Sequence, residues 1–471
     1  KRLREFMARG VMLAGTHSGV GKTTVSLGLM GFLSRSFRVL PFKVGPDYID
    51  PGYHRLVCGR EGYNLDLFLL GQGKAEELFR SRTNTADIAI VEGVMGLFDG
   101  LGVEGFGSSA QIAKILSLPV LLVVDARGMA QSVSALVWGF RDFAPQVRFV
   151  GVFLNRIRSD RHLRLIRQCV ERDTGLPVVG FLPDDADLIL PERHLGLVPA
   201  VEVTEKERLG RIVEVVAKNC EWELLLRIMA EVPPLPTRET TASHPVPVGI
   251  ALDTAFHFSY RSSLESLKEA GAELIPFSPL ADEKLPEGVK GLYLPGGFPE
   301  VFASDLSANS NLRKTIWQAA TIGMPIYAEC GGLMYLSREL HTSHGIFPMV
   351  GVFDFSVEMT SRLQRFGYAQ ATVMVRNLLA HPGMVLRGHE FHYSRVTGGN
   401  GKTSYRVEKP DGSEHWECGF VKHEVLATYL HIDFFAFPEA AQNFVAACRN
   451  FETGEDRDGS PTHRSSWQSS S

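Results

Sequence analysis

The stretch AGTHSGVGKTTVSLGLM, which runs from Ala14 to Met30, decides the fold of the first half of this chain. An apolar run precedes it, glycines and a Lys-Thr pair fill its centre, and a helical pattern follows. A strand, a glycine-rich turn and a helix in this order direct backbone N–H groups at phosphate oxygens. The stretch therefore predicts a phosphate-binding loop in an α/β domain.

Further apolar runs in the first half are near-continuous rather than alternating, which is typical of parallel strands buried on both faces. The segments between them are long enough for crossover helices. We therefore expect a doubly wound parallel sheet. The predicted strands after the loop are Phe37–Gly45, Ala86–Gly96, Pro119–Ala126, Arg148–Arg156 and Pro177–Pro183.

A change in amino-acid composition near Val232 predicts a domain boundary. The stretch EVPPLPTRETTASHPVPV is rich in proline, serine and threonine, as interdomain linkers are. A second α/β series follows it. We predict a first domain over residues 1–231, a linker over 232–246, a second domain over 247–452 and a disordered tail over 453–471.

Bulk composition limits the function classes. The 471 residues are 44% hydrophobic, and the net charge of -4 gives no basic field for nucleic acid. The six cysteines form no C-x-x-C pair, so we expect a reducing compartment. No run resembles a signal peptide or a membrane span. The expectation is a cytoplasmic protein without nucleic-acid or membrane partners.

The predicted phosphate loop departs from the common G-x-x-x-x-G-K-[ST] spacing, because Thr16 stands where the first glycine usually lies. Lys22 is expected to reach the β- and γ-phosphates of ATP, and the Thr23 hydroxyl is expected to bind Mg²⁺. The wider spacing resembles dethiobiotin synthetase and its amide-forming relatives. Those enzymes use ATP to phosphorylate a carboxylate. The other residues predicted to bind ATP are Thr16, Gly19, Gly21, Thr24, Lys43 and Asn155.

Acidic residues follow two of the predicted strands. Asp47 and Asp50 come after Lys43 in a proline- and glycine-rich turn, and Glu92 lies near the end of another apolar run. Ligands bind at the carboxyl ends of strands in open α/β sheets. We therefore predict Thr23, Asp47, Asp50 and Glu92 as metal ligands, with Lys43 near the transferring phosphoryl group. Asn155, at a later strand end, is expected to read the adenine edge.

The second domain contains PIYAECGGLMYL, in which a strand leads directly into Cys330, two glycines and a helical pattern. This is typical of a nucleophile elbow, a sharp turn that exposes a nucleophilic side chain. The helix N-terminus is expected to lower the pKa of the thiol. The backbone N–H groups of Gly297 and Gly331 are expected to form an oxyanion hole.

The elbow resembles that of class I glutamine amidotransferases, and His431 in ATYLHIDF matches the family's histidine. Such enzymes often carry a glutamate two residues later, where this chain has the shorter Asp433. Whether Asp433 orients His431 is left open. His389, Glu390 and His392 lack the H-E-x-x-H spacing, so a structural or interdomain role is favoured over a zinc site.

The motifs KVGPDYIDP and EGVMGLFDG, together with the loop before them, resemble the cobyrinic acid a,c-diamide synthases. The resemblance covers residues 10–450 and implies two coupled sites that use ATP, Mg²⁺ and L-glutamine. It also implies amidation of the a and c acetate side chains of cobyrinic or hydrogenobyrinic acid, a step towards cobalamin. Asp47 and Tyr48 are then expected to contact the macrocycle, and a homodimer is expected because family members often form one.

Three alternatives stay open at this point. Ni-sirohydrochlorin is a substrate of a related diamide synthase, and composition does not separate it from the corrinoids. Cobyric acid synthase shares the architecture, although GPDYIDP argues against it. A partitioning-type switch ATPase shares the unusual loop but would have no use for Cys330 and His431.

Overall fold

The structure is a computed structural model. It describes residues 7–190, 192–193, 196–197, 206–236, 244–399 and 401–452. The described chain forms two compact units, Lys1–Glu239 with Tyr260–Ser263, and Thr240–Ser259 with Leu264–Ser471. The predicted disordered tail and the centre of the predicted linker, residues 237–243, lie outside the described residues.

The first unit contains a sheet whose main strands run parallel in the order β3-β2-β4-β1-β5-β6-β7. A short strand, β10, pairs antiparallel with β1, while β8 and β9 pair with each other. The strands are β1 (Ala8–Gly15), β2 (Val39–Val44), β3 (Tyr63–Leu65), β4 (Ile88–Gly96), β5 (Val120–Asp125), β6 (Phe149–Ile157), β7 (Val178–Pro183), β8 (Glu192–Arg193), β9 (Gly196–Leu197) and β10 (Ala230–Val232).

The apolar runs of this sheet explain its parallel topology. Every residue of β2 and of β5 is buried, as expected of strands with both faces covered. The prediction of a doubly wound parallel sheet is confirmed. The connecting helices are α1 (Lys22–Leu33), α2 (Asp50–Cys58), α3 (Leu67–Leu70), α4 (Gln72–Thr83), α5 (Ser109–Leu116), α6 (Ser132–Phe143), α7 (Asp160–Thr174), α8 (Lys206–Asn219) and α9 (Trp222–Ile228).

The strand order brings the predicted site residues to one edge of this sheet. Strand β4 lies between β2 and β1, so Lys43 on β2 and Leu13 on β1 are both register partners of Glu92. Strand β1 then leads directly into the glycine-rich loop. Residues far apart in the chain therefore meet because the sheet order places their strand ends side by side.

The second unit contains a mixed sheet in the order β13-β11-β14-β16-β25-β24-β23-β20-β21-β26, with smaller sheets beside it. Its strands are β11 (Val246–Ala251), β12 (Phe256–Phe258), β13 (Ala272–Phe277), β14 (Leu292–Leu294), β15 (Gly296–Gly297), β16 (Ile326–Glu329), β17 (Glu339–Thr342), β18 (Gly345–Pro348), β19 (Ser356–Met359), β20 (Arg365–Val373), β21 (Val385–His392), β22 (Ser394–Thr397), β23 (Lys402–Glu408), β24 (His415–Lys422), β25 (Val425–Thr428) and β26 (His431–Ile432).

The sheet changes character along its width. The first five strands in this spatial order, β13, β11, β14, β16 and β25, pair in parallel. The pairs from β25 to β24 and onwards through β23, β20, β21 and β26 are antiparallel. Only Tyr429 and Leu430 separate β25 from β26. The antiparallel strands must therefore curl back towards β25, and this places His431 near the end of β16.

Five helices follow residue 260 in the described chain, and the first of them, α10, begins with residues of the first unit. They are α10 (Arg261–Glu269), α11 (Ala303–Ala308), α12 (Ser310–Thr321), α13 (Gly331–Leu336) and α14 (Pro438–Asn450). Across the described ranges, no helix combines the length and apolar character needed to cross a membrane.

Candidate functional site

The loop between β1 and α1 has the backbone of a phosphate cradle. Gly19 and Gly21 adopt left-handed φ angles of 77° and 97°. A Cβ atom on Gly21 would lie 2.2 Å from Nδ2 of Asn155, so a side chain does not fit there. Helix α1 begins immediately after Gly21 without a side-chain cap, which leaves its N-terminus facing the loop.

Asn155 supports this loop from the end of β6. Its Nδ2 donates to the carbonyl oxygen of Val20 at 2.8 Å, and its Oδ1 accepts from the backbone N–H of Arg156 at 2.8 Å. The side chain is buried. The Nδ2 contact thus fixes the loop and the Oδ1 contact orients the amide, while the predicted contact with adenine stays a prediction.

Lys22 lies at the start of α1 and is held by carbonyl oxygens. Its Nζ donates to Met95 at 2.6 Å and to His17 at 3.4 Å. Met95 has a left-handed φ of 48°, an uncommon conformation for a side chain of this size. Burial, together with the nearby charge of Lys43, lowers the pKa of Lys22 to about 8. A phosphate in the loop would offset both the burial of Lys22 and its repulsion from Lys43, so Lys22 is placed to bind one.

Lys43 and Glu92 form the centre of a buried polar cluster. Lys43 Nζ lies 2.8 Å from Glu92 Oε1 and 2.5 Å from Asp50 Oδ2. Burial alone would lower the pKa of Lys43, but the charges of Asp50 and Glu92 outweigh it and raise that pKa. Thr23 Oγ1 donates to Glu92 Oε1 at 2.7 Å and lies 3.5 Å from Asp50 Oδ2. Three predicted metal ligands and the predicted phosphoryl-binding lysine therefore meet.

His54 belongs to the same cluster, although no role was predicted for it from the sequence. Its Nε2 lies 2.7 Å from Glu92 Oε2, and both side chains are fully buried. Burial alone would raise the pKa of Glu92, but Lys43 and His54 outweigh it and lower that pKa. His54 was missed because a turn was predicted around Asp50, whereas Asp50 begins α2 and residues four apart on a helix share one face.

Asp47 and Tyr48 lie beside this cluster rather than within it. Asp47 Oδ1 accepts from the backbone N–H groups of Ile49 and Asp50, which fixes the start of α2. Asp50 therefore begins a helix, so the predicted turn at this residue is wrong. Tyr48 is half-buried, and its ring stacks on Tyr260 within the same unit at a centroid distance of 4.6 Å.

Thr16 and Thr24 lie on either side of the loop. Thr16 Oγ1 is 2.9 Å from Nδ1 of the neighbouring His17. Thr24 is half-buried in the first turn of α1. Both residues are thus near the loop that is predicted to bind ATP.

Cys330 occupies the predicted elbow of the second unit. It lies between β16 and α13 with a φ of 44°, a left-handed angle that is strained for a cysteine. Its backbone N–H donates to the carbonyl oxygen of Thr428 at 2.7 Å, which ties the elbow to β25. The next residue, Gly331, leaves so little room that a Cβ there would lie 3.0 Å from the nitrogen of Gly297. The two predicted oxyanion-hole glycines are therefore adjacent.

The protonation of Cys330 differs from the prediction. Burial raises the pKa of the thiol well above its usual range, and the negative charges of Glu300 and Glu390 raise it further. The predicted lowering by the helix N-terminus is wrong, because α13 has only six residues and the opposing effects are larger. The nucleophile therefore rests as a thiol, and a base must remove its proton.

His431 lies on β26 in a tightly enclosed position. A Cβ atom on Gly296 would lie 2.5 Å from its Cε1, so the glycine leaves room for the imidazole. The ring stacks on His389, its register partner on β21, at a centroid distance of 5.0 Å. Burial and the charge of His431 lower the pKa of His389 well below its usual value, so His389 stays neutral.

A carboxylate absent from the sequence-based site lies near Nδ1 of His431. Glu329, the residue before Cys330, has its Oε2 atom 3.6 Å from His431 Nδ1. Asp433 Oδ1 accepts from the backbone N–H of Phe435 at 2.9 Å. Glu329 had no sequence signal of its own, because it reads as the last residue of a buried strand.

The remaining histidine cluster forms a buried network. Glu390 Oε2 lies 3.3 Å from His392 Nε2, and Trp416 Nε1 donates to Glu390 Oε1 at 3.3 Å. The ring of His392 also stacks on Tyr429 at 3.8 Å. No group of three or more His, Cys, Asp or Glu side chains suited to a metal ion occurs among the described residues. These contacts hold Glu390 and His392 in place, and the structural or interdomain role of the cluster stays a prediction.

Family models match both halves of the chain. Residues 11–198 match the "CobQ/CobB/MinD/ParA nucleotide binding domain", and residues 247–439 match the "CobB/CobQ-like glutamine amidotransferase domain". The first description also covers partitioning-type ATPases. The second match is therefore what separates this chain from a protein with a nucleotide site alone.

Similar curated proteins span nearly the whole chain. The cobyrinate a,c-diamide synthase of Caldanaerobacter subterraneus subsp. tengcongensis is 48% identical, over 94% of this chain and 99% of the relative. That of Listeria innocua is 43% identical, over 91% and 97%. The hydrogenobyrinate a,c-diamide synthase of Streptomyces coelicolor is 42% identical, over 93% and 97%.

Proposed function

The chain belongs to the cobyrinate a,c-diamide synthase family of glutamine- and ATP-dependent ligases, and we propose that it amidates the a and c acetate carboxylates of cobyrinic acid. Hydrogenobyrinic acid is the second candidate, because one of the similar proteins is named for it. The observation that carries the proposal is that one chain holds both the Cys330 elbow with His431 and the loop that presents Lys22.

The second unit is proposed to release ammonia from L-glutamine. Cys330 Sγ attacks the side-chain amide carbon while His431 takes the thiol proton, and the oxyanion faces the N–H groups of Gly297 and Gly331. His431 then protonates the leaving nitrogen, so ammonia departs and a thioester remains. Water hydrolyses the thioester, which frees glutamate and restores the thiol.

The first unit is proposed to activate the substrate carboxylate. A carboxylate oxygen attacks the γ-phosphorus of ATP and ADP leaves, which forms an acyl phosphate. Ammonia then attacks the acyl carbon and inorganic phosphate departs. Lys22 and Lys43 would neutralise charge that develops on the phosphoryl oxygens. Thr16, Gly19, Gly21, Thr24 and Asn155 complete the proposed nucleotide site.

The donor set in this unit fits Mg²⁺. Thr23, Asp50 and Glu92 present hard oxygen atoms of the kind that this cation prefers, and the two carboxylates are paired with Lys43 Nζ. These residues would hold the ion, with Asp47 as a further proposed ligand, and the ion would supply charge neutralisation at the phosphates. Asp47 and Tyr48 are also proposed to contact the macrocycle. We also propose that the protein forms a homodimer and is located in the cytoplasm.

The rival functions differ in chemistry that can be assayed. Ni-sirohydrochlorin amidation needs the same two sites and a different macrocycle. Cobyric acid synthase activity would amidate four other side chains. A partitioning-type switch ATPase would hydrolyse ATP without any use of glutamine, and the enclosed pair of Cys330 and His431 argues against it.

An isotope experiment tests the acyl-phosphate step. With oxygen-18 in the substrate carboxylates, each amide formed should release one phosphate that carries one labelled oxygen, because the attacking carboxylate oxygen leaves with phosphorus. Mass spectrometry of the phosphate gives the ratio. Unlabelled phosphate from a reaction that still forms the amide would contradict the mechanism.

Replacement of Gly296 by alanine should impair glutamine hydrolysis selectively. The added methyl group would lie 2.5 Å from His431 Cε1 and displace the ring, and a displacement of about 1 Å can lower turnover on the order of 10²-fold. Amidation with ammonium chloride should stay within about twofold, since the first unit is untouched. Gly139→Ala, with nothing within 4 Å of its added methyl group, is the control. Equal loss with both nitrogen sources would contradict this account.

A further inference from the structure

We propose that Glu329 is the positioning residue for His431, so that the third member of the glutaminase triad comes from the position before the nucleophile. This inference rests on the proposed function of Cys330 and His431. The carboxylate that orients the base would then be the last residue of β16, and the nucleophile Cys330 follows it directly.

The first support is the place of Glu329 beside the imidazole. Its Oε2 atom lies 3.6 Å from His431 Nδ1, and the two side chains are 1% and 3% exposed. This separation is an ion-pair distance and is longer than a hydrogen bond. Catalytic hydrogen bonds are often long before substrate binds and shorten in the complex. In a site that excludes water, such a pair interacts more strongly than at the surface.

The second support is the way the carboxylate is held. Tyr327 donates its hydroxyl to Glu329 Oε1 at 2.7 Å, and Tyr293 donates to Oε2 at 2.9 Å. The two tyrosine rings stack at 5.5 Å. Burial and the charge of Glu329 raise the pKa of Tyr327 well above its usual value, so this hydroxyl remains a donor. A carboxylate with fixed donors on both oxygens can set the orientation of a neighbouring ring.

The third support is a direct link to the strand that carries the histidine. The backbone N–H of Ile432 donates to Glu329 Oε1 at 3.2 Å. The carboxylate therefore fixes the backbone of β26 by a hydrogen bond and lies within ion-pair distance of a ring nitrogen of His431. A purely structural anchor would explain the first contact and not the second.

The orientation leaves the other ring nitrogen available for the thiol proton. A Cβ on Gly296 would lie 2.5 Å from Cε1 and 3.3 Å from Nε2 of His431, so this edge of the ring faces the glycine turn. That turn continues to Gly297, next to Gly331. With Nδ1 towards Glu329, Nε2 is the atom that accepts the Cys330 proton and passes it to the leaving nitrogen. The carboxylate stabilises the imidazolium between these two transfers.

The test compares Glu329→Gln with Asp433→Asn, which changes the rival carboxylate two residues after His431. We expect the Glu329 variant to lower kcat for glutamine hydrolysis on the order of 10²-fold, which is less than the roughly 10⁴-fold loss in a Ser-His-Asp triad that lacks its aspartate, because Glu329 lies at ion-pair rather than hydrogen-bond distance from His431. KM for glutamine should stay within about threefold, and ammonia-supported amidation within about twofold, because neither binding nor the first unit is changed. The Asp433 variant should keep kcat within about threefold.

Tyr293→Phe provides a milder variant that removes one hydrogen bond to Glu329. We expect an intermediate fall in kcat, about three- to tenfold, again with KM unchanged. An unchanged kcat in Glu329→Gln, or the large loss in Asp433→Asn instead, would overturn the proposal. So would equal losses in glutamine- and ammonia-supported amidation. Failure of the unaltered protein to hydrolyse glutamine would instead refute the proposed function.

Discussion

Replacement of Cys330 by alanine is expected to abolish glutamine-supported amidation, by at least about 10³-fold, because no other group can form the thioester. Amidation supplied with ammonium chloride should continue within about twofold of the unaltered protein, since acyl-phosphate chemistry does not use the thiol. Product mass and released glutamate, measured at saturating ATP, give both rates.

Cys448→Ala is the matched control for this experiment. Cys448 is also a buried free cysteine of the second unit, on α14. It should retain both activities. Glutamate release that persists in the Cys330 variant would contradict the assignment of the nucleophile, and loss of ammonia-supported activity would contradict the independence of the two reactions.

Replacement of Lys22 by methionine is expected to impair amidation and to spare glutamine hydrolysis. Amidation should fall on the order of 10²- to 10³-fold with either nitrogen source, because a buried cation that stabilises developing phosphoryl charge is lost. Glutamine hydrolysis should continue within about threefold, because the glutaminase residues lie in the other unit. Product mass with each nitrogen source, and glutamate release without substrate, separate these effects.

Lys74→Met controls for loss of a lysine in the same unit, since Lys74 lies on α4 and pairs with Glu77 at 3.1 Å. It should leave both activities unchanged. Amidation that survives in the Lys22 variant would remove the loop from the mechanism. A parallel loss of glutamine hydrolysis would mean that the variant affects both units.

The first sheet could be predicted because its signals are local. Continuous apolar runs identify parallel strands, and strand ends identify ligand sites. The meeting of Thr23, Lys43 and Glu92 followed from that rule. The contact of Glu92 with His54 did not, because it depends on Asp50 starting a helix that turns His54 inwards.

The second sheet shows why part of the glutaminase site could not be predicted. The elbow at Cys330 is local and was visible in the sequence. Glu329 reaches His431 only because the antiparallel strands curl back and pair β26 with β21. The protonation of Cys330 was predicted wrongly for a related reason, since its burial and the negative charges of Glu300 and Glu390 arise from distant parts of the chain.

The central claim is tested most directly by the mass of the product formed with ATP and glutamine from cobyrinic acid, hydrogenobyrinic acid and Ni-sirohydrochlorin in parallel. Each amidation replaces OH with NH₂ and lowers the mass by about one unit, so a diamide is about two units lighter. The account predicts this loss for cobyrinic acid or hydrogenobyrinic acid. If neither corrinoid loses mass while ATP is still hydrolysed, the assignment as a corrinoid a,c-diamide synthase is contradicted.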